Sequence, residues 1–175
     1  GMLAIGQALD DARVDKSLRV VLVSGTTVGG MDITESCFNE VVDNLEGENK
    51  DSDKAMANIE FLQHHDCGNS TRKMAAHFGL FADVTTISTA CSSAANAIML
   101  GARLLQAGEA DIVVAGGTEA LSRFHLNGFH SLMILDHEPC RPFDATRAGL
   151  NLGEGAAFVV LESEQTARER GVVPH

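Results

Sequence analysis

The chain contains no tryptophan and no tyrosine, so phenylalanine supplies its whole aromatic content of 5%. Proteins that bind single-stranded nucleic acid stack bases on aromatic side chains, and binding to the phosphate backbone depends on lysine and arginine. This chain instead has a formal net charge of −11, which argues against a nucleic-acid partner. It also lacks an apolar run long enough to span a bilayer, so we expect no membrane partner.

Cysteine is sparse, with four residues unevenly spaced over 175 positions. A chain of this length with so few cysteines does not have the pattern of a small disulfide-stabilised domain. We therefore expect a reducing, cytoplasmic setting.

Two local patterns could suggest a bound metal or phosphate, but neither has the required spacing. His64, His65, Asp66 and Cys67 are consecutive, and consecutive side chains cannot all converge on one tetrahedral ion. The glycine-rich segment 25–30 has no Lys-Ser/Thr pair after it and does not match GxGxxG. We predict no metal and no cofactor, a polar loop at residues 64–67 and a tight turn at residues 25–30.

The hydrophobic pattern predicts an α/β protein in which helices and short apolar strands alternate. At 175 residues the chain is about the size of one domain. A strand, a helix and another strand with short links between residues 84 and 116 form a βαβ unit, so the two strands should be parallel. Strands are predicted at 19–24, 84–89, 111–116 and 155–161, and helices at 3–14, 32–45, 55–63, 69–78, 92–106 and 163–170. The segment 43–54 is predicted to be an acidic surface loop.

Cys91 lies where a predicted strand changes directly into a predicted helix. Residues 84–89 are rich in β-branched side chains, which favour a strand, and residues 92–106 are strong helix formers. A side chain at such a corner points outward, and the amide groups at a helix N-terminus stabilise a thiolate. The arrangement is analogous to a nucleophile elbow with cysteine in place of serine. The position alone leaves two interpretations open, a nucleophile or a buried core cysteine.

The predicted helix at 92–106 carries one charge, Arg103, and is otherwise apolar or small on every side. A helix of this kind must be covered all round. One predicted sheet covers one side, so we expect the second cover to come from outside this chain.

Four stretches together resemble the β-ketoacyl-acyl carrier protein synthases, the condensing enzymes of fatty acid and polyketide synthesis. They are Gly25-Thr-Thr-Val-Gly-Gly30, Thr86-Ile-Ser-Thr-Ala-Cys-Ser-Ser93, Ala110-Asp-Ile-Val-Val-Ala-Gly-Gly-Thr-Glu119, and Arg141-Pro-Phe-Asp-Ala-Thr-Arg-Ala-Gly149 with Gly153-Glu-Gly155. The resemblance implies a thiolase-like fold, in which each of two similar halves layers helices on a mixed five-stranded sheet. Residues 1–175 would form the N-terminal ketosynthase half without its first strand, and the C-terminal half would be absent from this chain. The second half would then cover helix 92–106.

The same resemblance implies roles for individual residues. Cys91 matches the catalytic, acyl-accepting cysteine, and its backbone N–H would be one oxyanion-hole donor. Phe129 falls near the acyl pocket and is a candidate substrate-binding residue. The two catalytic histidines and the lysine of the family belong to the second half, and none of the seven histidines here matches them. Five charged motif residues are interpreted as structural and are expected to pair with one another: Glu119, Arg141, Asp144, Arg147 and Glu154.

The implied reaction is a decarboxylative Claisen condensation between an acyl group on cysteine and a malonyl group on an acyl carrier protein. The implied partners are acyl- and malonyl-loaded carrier proteins and a second copy of the chain, paired through the strand before Cys91, with no cofactor. Since carrier proteins are acidic, docking on this acidic chain would require a local basic cluster, for which Arg72, Lys73 and Arg123 are candidates. This half alone should be inactive. The alternative is a non-catalytic ketosynthase-like chain-length subunit, a class that typically replaces the nucleophile.

Overall fold

A computed structural model describes residues 1–46 and 59–174. Helices and strands alternate along the chain, which confirms the predicted α/β class. The elements in chain order are α1 (Met2–Asp11), β1 (Val20–Gly25), α2 (Met31–Glu46), a short 3-10 helix (Ile59–His64), α3 (Cys67–Phe78), β2 (Phe81–Ile87), α4 (Ser93–Gln106), β3 (Ile112–Glu119), α5 (Arg123–Ser131), β4 (Gly155–Glu162) and α6 (Glu164–Arg170).

The four strands of the described residues form one mixed sheet in the order β2-β1-β3-β4. β1 is parallel to both β2 and β3, and β4 is antiparallel to β3. The strands on either side of α4 are therefore parallel, as the βαβ pattern predicted. They are not neighbours, however, because β1 lies between them, a placement that the local sequence pattern does not encode.

All six residues of β1 are buried, so this strand is covered on both faces. Successive side chains of a strand point to opposite faces. Val20 and Leu22 accordingly pack with Ile5 of α1 in one apolar cluster, whereas Val21 and Val23 pack with Ala97 of α4 and others in a second. Full burial of one such side chain stabilises a fold by about 1.5–3 kcal/mol, so β1 joins the two halves of the core.

The chain divides into two compact units, each made of segments that are separated in the sequence. The first contains the sheet with α1, α3, α4 and α6, and the second contains α2, the 3-10 helix and α5. Because each unit is assembled from distant segments of the chain, the division does not correspond to a single boundary in the sequence. The bounds are Gly1–Gly29, Asp66–Glu119 and Gly155–His175 for the first unit, and Gly30–His65 and Ala120–Glu154 for the second.

Several predicted helix ends are confirmed by their capping contacts. Gly79 ends α3 in the left-handed conformation with φ of 61°, which glycine adopts without steric cost. The Ser163 hydroxyl caps α6 by accepting the Thr166 amide proton at 3.0 Å. The largest differences from the predicted bounds are in α1, which ends at Asp11 rather than at residue 14, and in two strands. β2 spans Phe81–Ile87 rather than residues 84–89, and β3 ends at Glu119 rather than at residue 116.

The predicted acidic loop and the short helix after it fall largely on residues 47–58, which lie outside the described residues. Of the flanking positions, residues 43–46 belong to α2 and not to a loop, and residues 59–64 form the 3-10 helix. No helix in the described ranges is both long enough and apolar enough to cross a bilayer.

Glycines at the ends of two strands allow the start of α4 to lie directly on the sheet. A β-carbon on Gly25 would come within 2.6 Å of the Ala94 nitrogen and of the Ser93 carbonyl carbon. A β-carbon on Gly117 would come within 2.9 Å of the Ala94 β-carbon. These contacts are closer than real β-carbons make, so both positions require glycine.

We predict that Gly25→Ala destabilises the fold by about 1–3 kcal/mol, because the backbone of α4 must move to admit the methyl group. Gly6→Ala in α1 is the matched control: its new β-carbon would lie 3.8 Å from the Phe78 ring, an ordinary contact. Alanine favours a helix over glycine by up to about 1 kcal/mol, so this variant should be as stable as the parent or more so. Thermal unfolding of both variants tests the difference, and a Gly25→Ala protein that melts like the parent would contradict it.

Candidate active site

Cys91 lies in the loop of residues 88–92, between β2 and α4, with an exposed and unpaired thiol. The loop follows the carboxyl end of β2. Gly25 of β1 is in register with both Ile87 of β2 and Gly117 of β3, so three parallel strands end at the same edge. Open α/β sheets place their ligand sites at this edge. Cys91 is exposed in this chain and not part of its core, and its role as a nucleophile stays a prediction.

The residue before Cys91 has an unusual backbone conformation. Ala90 has φ of 55°, in the left-handed region that costs a residue with a β-carbon about 1–2 kcal/mol. The Ala90 carbonyl accepts the Ser93 amide proton at 3.0 Å, which closes a tight turn around Cys91. The sequence predicted the tight turn between strand and helix, but it contained no signal for a left-handed alanine.

Ser93, the first residue of α4, fixes this turn from inside the protein. Its side chain is buried, with 4% exposure of the residue. The Ser93 hydroxyl oxygen accepts the Thr89 amide proton at 2.9 Å. The same hydroxyl has a single proton, which it shares between the carbonyl oxygens of Ala90 at 2.6 Å and Thr26 at 3.1 Å. Ser93 thus connects the Cys91 loop to the turn that follows β1.

That turn, residues 26–29, is held in place by Glu119 at the end of β3. The Glu119 carboxylate accepts the Thr26 hydroxyl proton at 3.2 Å and the Thr27 amide proton at 2.5 Å. The Gly29 amide donates to the Thr26 hydroxyl oxygen at 3.2 Å. The predicted tight turn is confirmed, and since the amides of Thr26, Thr27 and Gly29 have acceptors within the protein, this geometry does not support a phosphate loop.

The 26–29 turn also contacts the start of the Cys91 loop. The Thr26 amide donates to the Ile87 carbonyl at 3.0 Å, and the Ser88 hydroxyl donates to the Thr27 carbonyl at 3.1 Å. Both ends of the Cys91 loop are therefore bonded to the same two residues, Thr26 and Thr27.

α4 is covered by the sheet on one side. Ser93, Ala97 and Gly101 are buried, and a β-carbon on Gly101 would come within 2.9 Å of the Val113 side chain. On other sides of the helix, Ile98 and Met99 are 38% and 48% exposed. This exposed apolar surface supports the expectation that a further layer covers α4.

Phe129 lies on α5 in the second unit, where it is half-buried, and its assignment to an acyl pocket stays a prediction. α5 has no fully buried residue. Its N-terminus is fixed by Glu35 of α2, whose carboxylate accepts the amide protons of Arg123 at 2.7 Å and Phe124 at 2.6 Å. Sequence analysis missed Glu35, because nothing in a helical glutamate indicates that it caps another helix.

The second unit also contains an apolar cleft of about 440 Å³. Phe129 is not among the residues that line it. Five of the lining residues are leucines and the others are polar: Leu121, Leu126, Leu135, Leu150 and Leu152, with Ser122, Arg123, Asp136 and Asn151.

The charged motif residues do not pair with one another, so that expectation is wrong. Arg141 pairs with Asp136 at 3.2 Å instead, a residue outside the predicted set. The other residues bind main-chain or hydroxyl groups, because short loops leave many amides and carbonyls that need partners. The Arg147 guanidinium donates to the Asp144 carbonyl, and the Asp144 carboxylate accepts from the Thr146 amide and hydroxyl. The Glu154 carboxylate accepts from the Leu121 amide. Glu119 binds Thr26 and Thr27, as described above.

The four consecutive metal-capable residues have separate contacts. Asp66 caps α3 by accepting the Gly68 amide proton at 3.0 Å, and it forms an ion pair with Arg72. In the second unit, the His65 Nδ1 atom lies 3.0 Å from the Thr34 hydroxyl. The residues at 64–67 are not a single loop as predicted, because the 3-10 helix ends at His64 and α3 begins at Cys67. No group of three or more metal-binding side chains occurs in the described part of the chain.

Comparisons with known proteins agree with the motifs. The sequence model described as "Beta-ketoacyl synthase, N-terminal domain" matches residues 1–167. The chain is 32% identical over 173 residues to Nodulation protein E of Rhizobium meliloti, covering 96% of this chain and 40% of that protein. It is 33% identical over 167 residues to the chloroplastic 3-oxoacyl-[acyl-carrier-protein] synthase I of Arabidopsis thaliana, covering 90% of this chain and 33% of that protein.

A similar solved structure is a ketosynthase in complex with its chain length factor from Xenorhabdus doucetiae. The TM-score is 0.68 at 29% identity, and the match covers 89% of this chain and 37% of that chain. The likeness agrees with the expected thiolase-like fold. The chain thus spans less than half the length of these relatives.

Asp136 generates a prediction about acid stability. Its side chain is 8% exposed and accepts the amide protons of Glu138 at 3.1 Å and Ala148 at 3.0 Å. These main-chain hydrogen bonds, with a smaller contribution from the positive charge of Arg141, hold the pKa of this carboxyl below its ordinary value of 3.8. Between pH 3.8 and the lower pKa of the folded state, the unfolded chain binds more protons than the folded chain. The contribution of Asp136 to the free energy of unfolding is therefore fully present above pH 3.8 and is lost as the pH falls through the pKa of the folded state.

We predict that Asp136→Asn lowers the melting temperature at neutral pH and makes it less dependent on pH in the acid range. The exposed Asp10 on α1 provides the control substitution Asp10→Asn, which should leave both quantities close to those of the parent. Thermal melts from neutral pH down to about pH 3 test this. Equal acid sensitivity in the parent and in Asp136→Asn would contradict the role assigned to the Asp136 carboxylate.

Proposed function

The chain belongs to the β-ketoacyl synthase family, and on that premise we propose that it is the acyl-accepting half of a 3-oxoacyl-[acyl-carrier-protein] synthase. The observation that supports this most directly is the exposed Cys91 thiol on a tightly held loop at the carboxyl edge of three parallel strands. The loop leads directly into α4, whose N-terminal amides favour negative charge. Residues 1–175 would be the N-terminal half, and the remaining half would complete the enzyme.

In the first proposed step, the Cys91 thiolate attacks the carbonyl carbon of an acyl group bound as a thioester to an acyl carrier protein. The new bond joins the Cys91 sulfur to this carbon, while the bond from the carbon to the carrier's sulfur breaks. The carrier leaves as a thiolate that takes up a proton. The Cys91 amide proton would stabilise the oxyanion of the tetrahedral intermediate. Sulfur suits this role because a thiolate is a strong nucleophile and a thioester remains reactive.

In the second proposed step, a malonyl group on a carrier protein loses carbon dioxide, and the electron pair of the broken bond is left on the α-carbon. This carbon attacks the thioester carbon on Cys91, so a carbon–carbon bond forms and the bond to Cys91 breaks. Cys91 is released as a thiolate for the next cycle. The groups that polarise the malonyl carbonyl would come from the remaining half, so we expect no condensation by this chain alone.

Two exposed surfaces support the proposal that this chain pairs with a second copy and is covered by the remaining half of the enzyme. Among the described residues, β2 pairs with β1 alone, and Val84 on this strand is 41% exposed. An unpaired strand edge is a template for pairing with another chain, which fits a homodimer joined through residues 84–88. The exposed side of α4 fits a cover from the second half. We also propose a cytoplasmic location, no cofactor, and Phe129 as a residue near the acyl chain.

A non-catalytic chain-length subunit is the alternative function. The solved structure of the ketosynthase from Xenorhabdus doucetiae is a complex with its chain length factor, so such a partner occurs beside a similar protein. A subunit of that class typically replaces the nucleophile, whereas this chain keeps Cys91 and holds it in an exposed position. The retained cysteine favours the catalytic function, and an acylation experiment separates the two.

We predict that the full-length protein, when mixed with an acyl-loaded carrier protein, gains the mass of one acyl group and that this group is on Cys91. Cys91→Ala should abolish the mass increase, because no other residue here is proposed to accept the acyl group. Cys140→Ala is the matched control, since Cys140 is also exposed and has no proposed role. Intact-mass spectrometry with peptide mapping measures the result. An unmodified Cys91 in the folded full-length protein would refute the proposed function and favour the alternative.

We also predict that carrier docking depends on the basic residues of α3. Arg72 is 59% exposed on its side chain and pairs with Asp66, so part of its charge is already compensated. Charge reversal at Arg72 and Lys73 should raise the Kd for an acidic carrier protein, with a smaller effect at high salt. Arg168→Glu on α6 is the control, because Arg168 is also exposed and paired with an acidic residue, Glu164. An unchanged Kd in the α3 variant would exclude these residues from the docking surface.

A further inference from the structure

The side chains of Ser93 and Glu119 form hydrogen bonds that connect the Cys91 loop to the 26–29 turn and to the end of β3. Ser93 is buried and contacts the loop at Thr89 and Ala90. Glu119 is partly buried and contacts the 26–29 turn. No step of the proposed reaction uses either side chain. We propose that Ser93 and Glu119 are positioning residues, which hold Cys91 in its reactive arrangement at the start of α4. This inference rests on the proposed function for its link to acyl transfer.

Ser93 acts first on the backbone next to Cys91. Its hydroxyl oxygen is the acceptor for the Thr89 amide proton at 2.9 Å, and its proton is directed at the Ala90 carbonyl at 2.6 Å. These two groups belong to the two residues before Cys91. A left-handed alanine persists only where surrounding contacts outweigh the energetic cost of that conformation. The Ser93 hydroxyl binds the Thr89 amide and the Ala90 carbonyl, which lie on either side of the peptide bond between these two residues. Without the hydroxyl, Ala90 can relax toward the right-handed or extended region, and Cys91 moves with it.

Ser93 also anchors the loop to a fixed point outside it. Its hydroxyl proton is shared with the Thr26 carbonyl at 3.1 Å. Thr26 and Thr27 in turn bind the other end of the loop through Ile87 and Ser88. Both ends of the Cys91 loop are thus hydrogen-bonded to the 26–29 turn.

Glu119 determines where that turn lies. Its two carboxylate oxygens bind the Thr26 hydroxyl at 3.2 Å and the Thr27 amide at 2.5 Å. Glu119 is the last residue of β3, so it places the turn relative to the sheet core. A change at Glu119 should therefore reach Cys91 through Thr26 and Ser93, without contact to any substrate.

The position of the Cys91 loop affects how strongly the N-terminus of α4 stabilises the Cys91 thiolate. A thiolate is stabilised by the amide groups of a helix N-terminus only within about the first turn. Cys91 is two residues before the first residue of α4, so a small displacement of the loop changes this interaction. Misplacement of a reacting group by about 1 Å can reduce a rate by roughly 100-fold. Loss of the Ser93 hydroxyl should reduce the reactivity of Cys91 and not that of other cysteines.

The experiment measures alkylation of the full-length protein by iodoacetamide at fixed pH, with the rates at Cys91 and Cys140 read separately from peptide masses. For Ser93→Ala we expect the rate at Cys91 to fall about five- to tenfold, while the rate at Cys140 is unchanged. Ser93→Thr keeps the hydroxyl and should restore most of the Cys91 rate. Ser70→Ala on α3 is the matched control, because the Ser70 hydroxyl donates to the Cys67 carbonyl and not to a residue of the Cys91 loop.

Glu119→Gln is a second variant with nearly the same shape, and it keeps the inference testable if Ser93→Ala fails to fold. It should also lower the rate of alkylation at Cys91, by a smaller factor than Ser93→Ala does. In carrier-dependent turnover, both variants should lower kcat with little change in KM, because neither side chain contacts the substrate.

The inference is overturned if the Cys91 rate is unchanged or raised in the folded variants, or if the rates at Cys91 and Cys140 change in proportion, which would indicate general loosening. Failure of the proposed function has a different signature. In that case parent Cys91 is alkylated but never acylated by a loaded carrier protein, and the alkylation comparison still decides the role of Ser93.

Discussion

The hydrogen bonds between Glu119 and the 26–29 turn are the contact on which the candidate site depends. They connect the end of β3 to the residues that follow β1, and those residues in turn bind both ends of the Cys91 loop. Hydrogen bonds to an ionised group are shorter and stronger than those between neutral groups. The carboxylate therefore fixes the relative positions of three strand ends and of the loop that carries the thiol.

Close packing beneath the loop depends on the absence of side chains. Gly25 and Gly117 leave space for the start of α4, and Gly101, about two turns further along this helix, leaves space for Val113. Small residues on α4 and on the sheet allow the helix to approach closely, so the buried Ser93 reaches the Thr26 carbonyl. The glycine-rich and alanine-rich motifs of the sequence thus have a steric explanation, separate from any role in chemistry.

Apolar side chains stay exposed on two helices of this chain. α4 exposes Ile98 and Met99, and α5 has no fully buried residue and exposes Phe124 and Leu126. Exposed apolar groups of this size are typical of surfaces that contact another protein segment. The chain matches less than half the length of these relatives, and the exposed groups support the proposal that a further segment covers them.

The α/β class and most of the helical and sheet-forming segments were predictable from the sequence, because each depends on local composition or on a contiguous motif, whereas the role of Cys91 stays a prediction. The charge partners were not predictable. Glu119 binds Thr26 and Thr27, about 90 residues away in the chain, and Arg141 binds Asp136 rather than another motif residue. The position of β1 between β2 and β3, the left-handed Ala90 and the anchoring role of Ser93 were also hidden. Local composition and contiguous motifs therefore predict most of the helical and strand segments and the position of the thiol along the chain. The distant groups that hydrogen-bond the Cys91 loop emerge only in the folded chain, because those hydrogen bonds form between segments that meet only when the strands pair.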